Sequence, residues 1–209
     1  IFDGEGRRVR RMSSVPKPQL FPEDDPDEPM KAPEAELASA AGLHRAVWDL
    51  RWEGAARLEN AKIDLGDPTE GPLAVPGTYR LRLSADGRTE EATLSVLPDG
   101  RSRATAADRQ AQLAFALELR ADLNRVVADS AEVRAIQAQA DALAQRLVGD
   151  GRAAGLVAAA NRVSRSAAAL EARLHNPKAE IVYDILAQRG GTQLHSNLVF
   201  LYISAVWGE

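Results

Sequence analysis

The chain has no cysteine among its 209 residues. Disulfides and thiolate metal sites are therefore excluded, while the compartment stays open, because cysteine-free chains occur in oxidising and reducing surroundings alike. No apolar run approaches the ~18 residues of a membrane-spanning helix. Histidine is scarce, at three, and aromatic residues make up 5% of the chain. An excess of one charge is lacking too: 26 Lys and Arg face 30 Asp and Glu, a net charge of −4. That balance offers no basic face for nucleic acid. The acids are uneven all the same. Residues 22–36 carry Glu23, Asp24, Asp25, Asp27, Glu28, Glu34 and Glu36 against Lys31 alone.

What is present suffices for a core, at 45% apolar residues. Ile1-Phe2-Asp3 reads as the inside of a strand, so the chain is expected to be a fragment of a longer protein, and the lack of a leader carries little weight. Gly4-Glu5-Gly6 predicts a hairpin turn into Arg7–Met12. Residues 13–42 hold six prolines and the acid run, which predicts an extended crossover. His44–Arg51 alternates with Ala46, Trp48 and Leu50 to one side, the pattern of a strand with a buried Trp48. Residues 52–77 read as a long Gly/Pro-rich loop. Tyr79, Leu81 and Leu83 then alternate with Arg80, Arg82 and Ser84. Asp86-Gly87 predicts a type I′ turn, and the return strand Thr89–Leu97 carries Ala92, Leu94 and Val96 inward.

Helical signals take over near residue 105. Thr105 and Asp108 make a capping pair, and neither Gly nor Pro occurs from 105 to 148. Leu119, Val126, Val133, Ala140 and Leu147 recur every seven residues, which predicts one long helix with a single seam, bent near Asp129-Ser130. Gly149-Asp150-Gly151 ends it. A second helix is expected from Arg152 to His175, with Leu156, Val157, Ala160, Val163, Ala167, Leu170 and Leu174 as its stripe, until Asn176-Pro177 breaks it. Ile181, Val182, Ile185 and Leu186 predict a short third helix. Leu194, Leu198, Leu201, Tyr202 and Val206 predict a fourth. The fold class is α+β: a small immunoglobulin-like β-sandwich over 1–100, with the acidic Pro-rich crossover 13–42, then an antiparallel helical hairpin or bundle over 101–209.

No catalytic, cofactor-binding or metal-binding residue is assigned. His44, His175 and His195 lack the spacing of a ligand set, and His175 is better placed to meet the last carbonyls of its helix. The acids 23–28 lack the spacing of a calcium loop and read as a solvated linker. Asp49 and Glu53 are the one carboxylate pair to weigh for glycoside cleavage, but no aromatic cleft accompanies them. Trp48 and Tyr79 suit a sugar-stacking platform or, more naturally, a sandwich core. Ser164, Ser166 and Ser196 lack nucleophile-elbow glycines. The heptad seam is satisfied by one chain folding back on itself, with an intermolecular coiled coil as the alternative.

The string Ile1–Arg11, the segment Gly42–Arg51 and Pro76-Gly77-Thr78-Tyr79 with Asp86-Gly87 resemble the immunoglobulin-like domain of the flagellar hook-assembly protein. With the continuation Thr105–Gln112 into helices, the order resembles the C-terminal end of bacterial secreted proteins with sortilin-like, BNR-repeat β-propellers, often labelled glycosyl hydrolases. The resemblance implies a secreted or periplasmic location and a non-catalytic accessory role beside an upstream propeller or another protein. A carbohydrate or surface-polymer binding module, and a supporting part of a glycoside hydrolase with its active site upstream, are the alternatives it leaves. It implies no cofactor, no nucleic-acid partner and no membrane span.

Overall fold

The computed structural model describes residues 1–16, 36–59, 61, 63, 66–178 and 191–208. The architecture is mixed α+β. Two strands, β1 (Gly77–Ala85) and β2 (Arg88–Val96), are followed by α1 (Ala106–Arg146), a 3-10 turn (Gly151–Ala153), α2 (Ala154–Leu174) and α3 (Leu194–Trp207). The expected crossover falls largely outside the described residues, as does the expected third helix. Two compact units interleave in sequence. The first comprises Ile1–Ala55, Pro68–Arg120 and Tyr202–Glu209; the second comprises Ala56–Asp67 and Ala121–Leu201.

The first unit is built on the β1–β2 hairpin. The strands pair antiparallel from Gly77↔Val96 to Ala85↔Arg88 without a bulge. Asp86 (φ 49°) and Gly87 (φ 75°) both have positive φ, the type I′ geometry that suits the twist of a hairpin. Burial is confined to the half near Tyr79. Leu94 and Val96 pack on the core, whereas Leu83 and Ala92, expected inward, are exposed. The distal half of the hairpin projects into solvent, so alternation there sorts no inside from outside.

The other strands expected in the first hundred residues are represented by single bridges. Phe2 bridges both Arg8 and Arg80, and Arg51 bridges Leu73. The turn at residues 3–7 forms as expected, with the Asp3 carboxylate accepting from the backbone N–H of Glu5 (3.0 Å) and Arg7 (2.8 Å). His44–Arg51 does not form a strand. The Asp49 carboxylate accepts from the Arg51 N–H at 3.0 Å, and Leu50 takes a φ of 58°. This local side-chain turn competes with an extended ladder. It also shifts the alternation by its length, so Trp52 rather than Trp48 enters the core.

Beyond that turn the backbone runs close to residues 68–74. Ala74 N–H donates to Leu50, Trp52 N–H to Pro72 and Ala55 N–H to Pro68. The approach is tight enough to demand glycine at two positions. A Cβ on Gly71 would lie 1.7 Å from the Trp52 carbonyl oxygen, and one on Gly54 2.1 Å from that of Thr69.

α1 is continuous across Ser130, as the uninterrupted seam predicts. Its start is a capping box: the Asp108 carboxylate accepts from the Thr105 N–H (2.8 Å), and Thr105 Oγ1 accepts from the Asp108 N–H (3.1 Å). Thr105→Ala is expected to cost about 1 kcal/mol. A urea titration of the variant checks this, and an unchanged midpoint would assign the helix start to packing alone.

In the second unit the seven-residue line is buried through Val126, Val133 and Ala140, with Leu123 beside it. Gly149 (φ 90°) reverses the chain, and Asp150 caps the 3-10 turn by accepting from the Arg152 N–H. Arg134 of α1 meets Glu171 and His175 at the end of α2. The stripe on α2 differs from the expected one. Ala160 and Ala167 are buried, while Leu156, Val163 and Leu170 are 43–50% exposed. On α3 the expected Tyr202 and Val206 are buried, with Ile203, in the first unit, and His195 and Val199 are buried in the second, whereas Leu194 and Leu201, also expected, are exposed. Among the described residues no helix is long and apolar enough to cross a membrane.

Candidate functional site

The densest arrangement of aromatic and charged side chains in the first unit surrounds Trp52. Its ring is 3% exposed and joins Val9, Tyr79 and Leu113 in the core. The Arg7 and Arg120 guanidinium groups lie 5.5 and 5.9 Å from its centroid, a cation–π arrangement. Burial holds the Arg120 pKa below its ordinary value, and the side chain donates to the Glu53 carbonyl at 2.7 Å. Trp48 is half-buried and packs edge-on against Tyr79, with centroids 5.2 Å apart and planes at 65°. The Trp48 indole N–H donates to the Arg51 carbonyl. The Tyr79 hydroxyl donates to the Val75 carbonyl at 2.6 Å, four residues upstream. Tyr79 is therefore core, and its ring face is closed to a sugar.

A second knot holds Glu70. Its carboxylate takes an ion pair from Arg51 at 2.8 Å and a hydrogen bond from the Trp207 indole at 3.0 Å. Its carbonyl accepts from the Tyr202 hydroxyl at 2.8 Å. Tyr202 is fully buried, and burial pushes its pKa up to about 12. The phenol thus remains a donor at any ordinary pH. This knot ties the loop around Glu70 to Arg51, Tyr202 and Trp207.

Two shallow hollows open on this unit. One, of about 450 Å³, is bounded by Asp3, Glu5, Thr78, Tyr79, Arg80 and Thr93. The other, of about 340 Å³, is bounded by Arg10, Met12, Glu36, Arg45, Trp48 and Asp49. Both are open to solvent, and neither holds a nucleophile beside a base. Asp49 and Glu53 do not form a carboxylate dyad. Asp49 caps the Arg51 backbone, and Glu53 accepts from the Arg11 N–H and pairs with Arg8.

The histidines separate. His44 is exposed and donates to the Ala40 carbonyl. His175 and His195 are buried in the second unit at 2% and 1% exposure. His175 lies 2.9 Å from the Glu171 carboxylate, which also receives Arg134 at 2.5 Å. Arg134 further donates to the Glu59 carbonyl. The His175 backbone N–H donates to the Glu171 carbonyl, whereas its ring meets the Glu171 carboxylate and Arg134 rather than the last carbonyls of the helix. His175 Nδ1, His195 Nε2 and Ser130 Oγ are buried and have no hydrogen-bond partner among the described residues. Among the described residues no three His, Asp or Glu converge as metal ligands. Ser164, Ser166 and Ser196 form no hydrogen bond to a histidine among the described residues. The acids 23–28 lie outside the described residues.

Sequence reasoning missed Trp52 and the Arg134–Glu171 pair, and it named Tyr202 as a stripe residue of the last helix without its bond to Glu70. Trp52, Ala55, Leu58 and Ala61 are all buried at a spacing of three, a signal that was open to reading within the supposed loop. No family model, characterised protein or solved structure matches the chain. The first unit presents tied aromatic and ionic clusters with two shallow hollows beside them.

Proposed function

We propose that the chain is a non-catalytic accessory module of a secreted or periplasmic bacterial β-propeller protein. Its first hundred residues are read as a reduced immunoglobulin-like sandwich, and its task is to hold contacts with a propeller or another protein. The observation that carries the reading is the Tyr79 hydroxyl bonded to the carbonyl of Val75, the tie that fastens a tyrosine corner in such sandwiches. The bridge Phe2↔Arg80 lays further backbone beside the hairpin. The knots at Trp52 and Glu70 support a load-transmitting rather than a reactive surface, since each charged group in them is committed to a partner.

Purified chain incubated with glycoside, ester and peptide substrates is expected to show no turnover. A glycan array is expected to show no retention. Turnover that vanishes on one substitution in this chain would overturn the reading. Glycan retention lost in Trp48→Ala would instead establish a carbohydrate-binding module, with the half-buried Trp48 and the hollow beside it as the ligand surface.

A further inference from the structure

The register of the hairpin identifies a free sheet edge and which backbone groups line it. Arg80 N–H donates to Phe2 and Phe2 N–H donates to the Arg80 carbonyl, so both groups of Arg80 point away from β2. Its partner across the ladder is Thr93. In an antiparallel pair such residues turn their N–H and C=O groups away from each other. The outer groups of β2 therefore belong to Thr89, Glu91, Thr93 and Ser95. Among the described residues nothing pairs with them. A nine-residue edge without proline, lysine or bulge is a template for another strand.

We propose that this edge pairs with the same edge of a second copy, antiparallel about Ala92. The strand is complementary to its own reverse in that register. All four outward residues find outward partners: Thr89 meets Ser95 of the second copy, and Glu91 meets Thr93. On the other face Glu90 meets Leu94, Arg88 meets Val96, and Ala92 meets Ala92. No like charges lie directly opposite, whereas a register about Glu91 would set two carboxylates face to face. The two Glu91 side chains fall on a diagonal. Each is already held by Arg82 at 2.8 Å and Arg80 at 3.8 Å of its own copy, and the Arg82 hydrogen bond keeps the carboxyl below its usual pKa. The result is a continuous four-stranded sheet with two-fold symmetry, the closed isologous arrangement of a dimer.

The test uses the full chain. Sedimentation from micromolar to several hundred micromolar is expected to show the weight-average mass rising toward twice the monomer's. Because the chain has no cysteine, Ala92→Cys reports the register directly. Facing residues of this kind sit about 4.5 Å apart at Cα, within disulfide reach. Mild oxidation is expected to yield a covalent dimer from Ala92→Cys and at least tenfold less from Ala85→Cys, at the other end of β1. Thr93→Pro removes one outward donor and leaves the β1 ladder whole. It is expected to keep the native circular dichroism and stay monomeric, while Thr93→Val still dimerises. A chain that remains monomeric with no Ala92→Cys crosslink, or a dimer that survives a folded Thr93→Pro, overturns the proposal.

Discussion

Trp52→Ala is expected to lower the stability of the protein by about 4 kcal/mol, within the ~3–5 kcal/mol typical of a buried aromatic reduced to Ala. The ring is 3% exposed and fills the space between Val9, Tyr79 and Leu113. Its removal leaves a cavity and strips the Arg7 and Arg120 guanidiniums of their aromatic face. The cavity cannot collapse readily, because the Trp52 backbone is pinned to Pro72 and its carbonyl is crowded by Gly71. Trp52→Phe is the control. The indole N–H is buried without a partner, so Phe loses volume but also relieves an unsatisfied donor. Its cost is expected to be under half that of the Ala variant. Urea unfolding followed by circular dichroism measures both. A Trp52→Ala loss below about 1 kcal/mol would place the centre of the core elsewhere. Trp48→Ala, at the rim of the same cluster, is expected to cost less.

Acid should weaken the protein through His195 first, as pH falls below about 6.5. Burial lowers the His195 pKa from 6.5 to about 4, and the neighbouring His175 adds to the fall. A histidine with a depressed native pKa binds fewer protons when folded than when unfolded. Its contribution is therefore complete above pH ~6.5, is lost as pH falls from there, and levels off below ~4. The loss between pH 7 and pH 4.5 is about 2–3 kcal/mol, from 1.36 kcal/mol per pKa unit. The carboxylates held low by their partners, Asp3 with Arg7 and Glu171 with Arg134 and His175, stabilise the fold above their unfolded values and lose that effect only at lower pH. The two windows are separable. His195→Leu removes the titrating ring and a buried nitrogen without a partner. Urea midpoints of this variant should be nearly flat from pH 7 to pH 4.5 while the parent's fall. Parallel slopes for the two proteins would assign the acid sensitivity to other groups.

The candidate residues were legible in kind but not in place. An aromatic core beside Tyr79 could be read from the chain, yet its tryptophan was off by one turn's length, because Asp49 bends the backbone before Trp52. The place of His175 at a helix end was legible, but its burial was not. Nor was the burial of His195, because α3 is apolar on nearly every side and its periodicity singles out no face.

By itself the sequence determined what is local. A type I′ turn needs two positive φ values, and Asp86-Gly87 supplies them. A capping box needs Thr105 and Asp108 three residues apart. Forty-one residues without Gly or Pro, carrying a seven-residue apolar line, make one helix with one buried seam. Tertiary structure decided what depends on distant neighbours. On α2 the small Ala160 and Ala167 are buried while the larger Leu156, Val163 and Leu170 stay exposed, a choice of face that apolar periodicity alone does not make. Whether Trp48 or Trp52 enters the core, and which residues of α3 are buried, were likewise fixed by packing, because burial is a property of the surroundings and not of the residue alone.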